Sequence, residues 1–459
     1  MAGGTWTAQN KVRPGIYINF KTGTTPVAAP GTRGTVAIAK ALSWGPVGQV
    51  MTINAEDNLT PFVGYAITEP QALFLREMFK GTNTTGGPTK VLLYRLTADG
   101  ATSAEASIGT EGAVTVTARY PGARGNDISV VVTDSVDDPG NFTVSTVVGG
   151  QIVDEQQVQT AAQLQPNGWV TFAGNGQLSA TAGVSLTGGA DGTVQSSAYA
   201  SALEALEPYP FDILAYDGGD TTVLAAMTAF VKRLAEQSGR YTQLVASGAA
   251  GSDSRFVINN KCGVVLTDGT HLTPYQVVWW LAGAEAGAQY YQPLSYSTYP
   301  GAAAVSPKLT DSEIEAAILA GDIVLSEELS EVRSETEKIS TVRIETDVNT
   351  LTTYTQDIGE VFHKNRTMRV CNSVANDLYR EFSKNFLGRV NNDESGRSSF
   401  KATILDYLRT MYNRGALRER PTSDDVTVEP GSSLDSIIIT IAIRIADSVE
   451  KVYVTVSVS

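Results

Sequence analysis

Two histidines, His271 and His363, and two cysteines, Cys262 and Cys371, are the only ones in the chain, so any His- or Cys-dependent chemistry must be built from these four. Their spacing matches neither CxxC nor HExxH, the patterns that hold zinc or arm it for hydrolysis. Nucleophilic catalysis by serine needs an adjacent base, typically on a GxSxG elbow, and no such run occurs. A phosphate loop needs GxxxxGK[ST], so that amides cradle the anion and a lysine neutralises it. The nearest approach, GTRGT at 31–35, reads as a loop entering a strand.

Carboxylates and aromatics offer little more. DSVDDPGN (134–141) lacks the alternating ligands and distal glutamate of a calcium loop and reads as a solvated turn. Glu327, Glu328, Glu331, Glu335 and Glu337 are dense enough for an acid–base pair, but a charge run of this kind reads as a solvated segment. Trp279, Trp280, Tyr290 and Tyr291 could stack on a sugar; large aromatics in an apolar run more commonly pack a core or an interface. The expectation is a non-enzyme with no catalytic residue, no metal and no cofactor.

At 459 residues the chain exceeds one ordinary core, and 42% hydrophobic with 18% charged residues is a globular balance. A net charge of −14 disfavours nucleic acid and anionic membranes, which attract positive fields. No window approaches the roughly 18 consecutive apolar residues of a membrane span, and MAGGTWTAQNKVRPG lacks the apolar stretch of a secretory leader. Cytoplasmic synthesis without membrane insertion is expected.

The elements alternate. TVAIA (35–39) and KVLLYRL (90–96) read as core strands, and Pro70 opens a helix through QALFLREMFK to Gly81. After residue 195 the α/β alternation resumes with AYASALEALEPY, FDILAYDG, TVLAAMTAFVKRLAEQ and YTQLVASG. It continues through CGVVLTDG, the helix TPYQVVWWLAGAEAGAQ, and a capping box from Thr310 to Glu313. Residues 101–195 differ: nine acids face two arginines and no lysine, half the chain's net charge. The strands AVTVTARY, DISVVVTD, FTVSTVVGG, QIVDEQQV and GWVTFAG are separated there by Gly-, Pro- and Asn-rich turns.

The predicted class is therefore α/β (α+β) and multidomain, with an inserted β-rich domain and extended terminal strands. The divisions are an N-terminal arm at 1–20, a core α/β domain at 21–100 and 196–350, and an acidic, outward-facing insertion at 101–195. A C-terminal domain with basic helices follows at 351–447, and an arm strand at 448–459. From Lys364 to Arg420 two helical stretches carry twelve Lys/Arg against six Asp/Glu, the main charge asymmetry.

Both ends alternate at period two. PGIYINF (14–20) puts Ile16, Ile18 and Phe20 on one face beside Tyr17, and EKVYVTVSVS (450–459) repeats valine at Val452, Val454, Val456 and Val458. An apolar terminal strand left unpaired is an adhesive edge, and pairing with another copy is one remedy. Folding back into its own domain is the other. An arm of about ten residues reaches roughly 33 Å, enough to cross to a neighbour.

Six motifs in order, PGIYINF, YPGARGNDISV (120–130), CGVVLTDGT (262–270), AGAEAGAQYYQPLSYSTYPGA (282–302), NTLTTYT (349–355) and FHKNRTMRV (362–370), make the chain resemble the contractile tail sheath proteins of phages and phage-tail-like particles from about residue 12 to 459. The resemblance is weakest within 101–195. It implies a subunit that polymerises as stacked hexameric rings around an inner tube protein and contracts without nucleotide to drive that tube through an envelope. It also implies contacts with baseplate and tail terminator proteins, a place in a virion tail, and terminal arms that add strands to neighbouring copies. A C-terminal helix would face the tube, which nominates Arg380, Lys384, Arg389, Arg397 and Lys401; a solvated face or ion pairs between copies is the competing reading of those charges. The rival of another class is an acidic, β-decorated surface adhesin or carbohydrate-binding module, which leaves the terminal strands unexplained.

Overall fold

The computed structural model describes residues 2–4, 15–18, 33–110, 114–135, 138–332 and 338–457. They form two compact units, one made of Met1–Ile38, Phe74–Val91 and Tyr209–Ser459, the other of Ala39–Leu73 and Leu92–Pro208.

The first unit is built on parallel strands. In spatial order they are Asp322–Ile323, Val257–Asn260, Gln243–Ser247, Ile213–Tyr216 and Thr35–Lys40, of which residues 35–38 belong to this unit. The register sets Ile213 beside both Val36 and Gln243, and Leu244 beside Val257. Ile213–Tyr216 and Gln243–Ser247 are buried at every residue, the mark of strands covered on both faces. The helix Thr221–Ser238 makes one crossover; the Asp220 carboxylate accepts from the Thr222 and Val223 amides to start it, and Gly239 at φ +67° ends it.

The helix Pro274–Gly287 packs on these strands and is buried from Val277 to Gly287, with a Thr273–Gln276 capping box and proline in its first turn. It comes so close to its neighbour that a Cβ on Gly283 would lie 1.9 Å from the Met78 carbonyl oxygen. Trp280 stacks on Tyr299 with ring centroids 4.0 Å apart, and Trp279 donates to Asp217 at 2.7 Å. These aromatics are core, not a stacking platform.

Antiparallel pieces complete the unit. Gly263–Leu266 lies between His271–Leu272 and Ala302–Ser306, and Leu325–Val332 pairs with Lys338–Ile344. That hairpin holds Glu327, Glu328 and Glu331, with Lys308 on Glu327 and Arg343 on Glu328; Glu335 and Glu337 lie outside the described residues. The helices Asn365–Asn385 and Glu394–Asn413 follow, then the hairpin Val426–Pro430 with Ile437–Ile441. Val370, Val374, Leu378 and Phe382, spaced by four, meet Phe400, Ile404, Leu408 and Met411, and Ile437, Ile439 and Ile441 cover them.

The second unit holds a β-sandwich. One sheet runs Gln151–Val158, Phe142–Val148, Ile128–Asp134 and Thr181–Ser185, the other Val170–Ala173, Val114–Ala118 and Glu105–Ile108, every pair antiparallel. Ile128, Val130 and Val132 point inward at period two, and Trp44 joins the core at 4.8 Å from Trp169. Glu105–Ile108 and Thr181–Ser185 add strands that the residue pattern does not announce: the first is four residues long, and the second has the small residues Ala182 and Gly183 at its centre. Arg95 is buried beside this core and donates 2.6 Å bonds to the carbonyls of Gly45 and Pro121; burial lowers its pKa to about 10.

Candidate assembly site

The Asn365–Asn385 helix uses its two halves differently. Its apolar stripe packs within the C-terminal helices, whereas Asn365, Arg366, Arg369, Asn372 and Ser373 are polar and buried. A buried cation survives only with partners that satisfy its hydrogens. Arg369, fully buried, donates to Glu285 Oε2 at 2.6 Å, to Asp347 Oδ2 at 2.7 Å and to the Gln292 carbonyl at 3.0 Å. Asn365 Nδ2 adds bonds of 2.8 Å to Asp347 Oδ1 and to the Val348 carbonyl. Arg33 donates to the carbonyls of Glu285 and Ala288 at 3.2 Å each and lies 3.5 Å from Asp212.

Two carboxylates thus share one guanidinium. Burial, then the Asp347 charge, pushes Glu285 well above the usual carboxylate range. Burial pushes Asp347 upward as well, but Arg369 and the hydrogen bonds from Glu285 and Asn365 outweigh it and hold Asp347 below its ordinary value. Glu285 therefore keeps its proton where Asp347 is charged. The cluster ties the Pro274–Gly287 helix to the C-terminal helices and is closed to solvent, an architectural role.

The twelve cations of 364–420 accordingly divide. Arg366 and Arg369 are buried, and Lys364 is half-buried. Arg380 is exposed and ion-paired with Asp377 at 2.6 Å; Lys384, one turn on, and Arg389 are exposed. Arg397 donates to Asn392 Oδ1 at 3.0 Å and, with Lys401, lines a shallow cleft beside Glu394, Thr427, Val428 and Glu429. Helical spacing places Arg380 with Lys384 and Arg397 with Lys401 as two separate pairs.

The terminal segments also differ from each other. Gly15–Tyr17 pairs in parallel with Ala2–Gly4 of the same chain, setting Ile16 beside Gly3 and Tyr17 beside Gly4. The Tyr241 hydroxyl donates to the Ile18 carbonyl at 2.9 Å. Phe20, Val458 and most of the polar leash before Pro14 lie outside the described residues. At the other end, residues 451–457 pair with no strand among the described residues; Val452, Val454 and Val456 are 74%, 76% and 78% exposed.

The two histidines and two cysteines stand apart from the Arg369 cluster. His271 is exposed on a two-residue strand. His363 faces the Leu351 carbonyl at 2.6 Å, and burial lowers its pKa. Burial pushes the Cys371 thiol up to about 12 and raises that of Cys262. Among the described residues no group of three or more His, Cys, Asp or Glu side chains could hold a metal, and no helix is long and apolar enough to cross a membrane.

Four family models match in succession: the tail sheath protein Gp18 domain III N-terminal region at 33–96, the phage tail sheath protein beta-sandwich domain at 98–191, the phage tail sheath protein central domain at 192–350 and the phage tail sheath C-terminal domain at 357–459. The phage-like element PBSX protein XkdK of Bacillus subtilis is 34% identical over the whole of both chains. The crystal structure of the sheath tail protein from Desulfitobacterium hafniense is 38% identical with TM-score 0.81, covering 96% of this chain and 99% of that one. The contracted helical sheath of the anti-feeding prophage shares the fold at 14% identity, TM-score 0.53, over 98% of this chain and 99% of that one. By matches that run from Arg33 to Ser459 and a relative aligned end to end, the chain belongs to the phage tail sheath protein family.

Proposed function

We propose that the chain is the subunit of a contractile sheath: copies polymerise as stacked hexameric rings around an inner tube protein and then contract, driving the tube through a target envelope. In this reading the acidic β-sandwich region faces outward, the ends of the sheath meet baseplate and tail terminator proteins, and the assembled place of the chain is a virion tail or a phage-tail-like particle. The terminal arms link copies by exchanging strands.

The observation that supports this most directly is the exposed C-terminal segment. Three alternate valines, Val452, Val454 and Val456, stand in solvent on a segment with strand periodicity. Full burial of a valine side chain is worth about 1.5 kcal/mol or more, so a sheet edge on another copy offers several kcal/mol per arm. Contraction without nucleotide requires the extended lattice to sit above the contracted one in free energy, behind a kinetic barrier. New contacts between copies supply the work, and the arms keep copies joined while domains turn as rigid bodies.

Negative-stain electron microscopy of the purified chain, alone and with its tube protein at modest salt, tests this. Hollow, ring-stacked cylinders are expected. Compact single copies under every condition would overturn the reading.

A further inference from the structure

The C-terminal arm has two points of attachment to its own chain, and they differ in kind. The first is backbone: Arg418 donates to the Arg444 carbonyl at 2.8 Å, Ala446 donates to the Ala416 carbonyl at 3.0 Å, and Leu417 bridges Ile445. The second is made of side chains. Glu450 is 17% exposed between Val449 at 84% and an exposed Lys451, and it turns back into the unit. Its Oε1 accepts from Ser295 Oγ at 2.6 Å and its Oε2 from Lys364 Nζ; Lys364 also faces Asp447 at 3.8 Å.

This contact is anchored on firm ground. Ser295 Oγ accepts the Asp347 amide at 3.0 Å, and Asn365 donates its amide to the Asp347 carbonyl at 3.1 Å. The pin therefore ends on the residue whose side chain completes the Arg369 cluster. Beyond Glu450 the described residues 451–457 are all exposed.

We propose that Glu450 is a releasable pin that sets the length of the C-terminal arm, a reading that rests on the arm's pairing with another copy. With the pin closed the arm starts at residue 450; with it open the arm starts at Ala446, held by the backbone bridge. Four extended residues add roughly 13 Å of reach. A partly exposed ion pair with one hydroxyl contact is a weak attachment, so tension in the arm opens it before the bridge or a paired sheet strand yields. The sheath then stretches its links at a defined place while strand pairing persists.

Nitroxide labels test this on the full-length chain, whose native cysteines are both buried. A label at Val449→Cys is expected to tumble several-fold more slowly than one at Val454→Cys, and Lys364→Met or Glu450→Gln should abolish the difference while leaving the far-ultraviolet spectrum unchanged. In assembled cylinders the Val449 label should be ordered in one of the long and short forms and mobile in the other. Equal mobility at both positions in the single chain, insensitivity to Lys364→Met, or identical order in both cylinder forms would overturn the pin. Cylinders formed by a chain ending at Glu450 would overturn the arm reading and the pin's purpose with it, and that failure is recognisable because the single-chain label contrast would survive.

Discussion

The Arg369 guanidinium meets the Glu285 carboxyl group at 2.6 Å with neither side chain exposed to solvent. The same guanidinium holds the charged Asp347 carboxylate at 2.7 Å, and removing it strands that charge in a low-dielectric interior, which costs about 3–5 kcal/mol. Arg369→Met should lose that amount, and Arg369→Lys should recover little, because one ammonium cannot fork between Glu285 and Asp347 as the guanidinium does. Replacing all three ionisable groups, as Arg369→Met with Glu285→Gln and Asp347→Asn, should cost less than Arg369→Met alone. Urea unfolding of the single chain measures each; an Arg369→Met variant within about 0.5 kcal/mol of the parent, the range of an ordinary surface change, would sink this account.

The same cluster makes stability depend on pH. Glu285 has a folded pKa above its ordinary 4.5, so the folded chain holds a proton that the unfolded chain has released. That group's contribution is full below pH 4.5 and declines as pH rises toward its raised value. Asp347 acts oppositely: its folded pKa lies below 3.8, so its contribution is present above that value and is lost as pH falls further. Glu285→Gln keeps an amide donor beside Asp347 and should flatten the decline above pH 4.5 while preserving the acid limb. Urea midpoints across a pH series check this, and parallel profiles for parent and variant would refute it.

Much of this was legible from residue patterns, and what was not has physical causes. Period-two runs such as Ile128, Val130 and Val132 became strands because one face had a core to meet. The basic helices formed as expected, but a polar face looks the same in sequence whether water or buried carboxylates cover it. A count of twelve cations over 364–420 therefore takes in Arg369 without setting it apart from solvated ones. One signal was available: Glu285 is the lone charged residue in the otherwise apolar run 274–288, and a lone acid there demands a buried partner. The valines at 452, 454 and 456 likewise specify an extended conformation, but periodicity does not say which chain supplies the neighbouring strand.

Truncation after Glu450 separates folding from assembly. Residues 451–457 are exposed, so their removal should change single-chain stability by less than about 0.5 kcal/mol. Under the proposed exchange the segment pairs with another copy, so cylinder formation should nevertheless fail. Thermal melts followed by circular dichroism and negative-stain images of the same preparation give both answers. A truncated chain that unfolds would show that the arm folds back, contrary to the exchange proposed here.

Charge reversal tests the proposed tube contact, and the five nominated cations are not equivalent probes. Arg380→Glu would set a second carboxylate beside the buried Asp377, and Arg397→Glu would lose its bonds to Asn392, so either could act through the fold. Lys384 and Arg389 are exposed, and reversing both should leave stability within about 0.5 kcal/mol. If these two side chains meet the tube, the double variant should assemble poorly on tubes while still polymerising alone. The parent's tube-guided assembly should weaken as salt rises, since exposed charges are screened over about 8–10 Å at 0.1–0.15 M ionic strength. Sedimentation of tubes with bound subunit across a salt series reads both effects. Unaltered tube-guided assembly in the double variant would return Lys384 and Arg389 to the solvated surface.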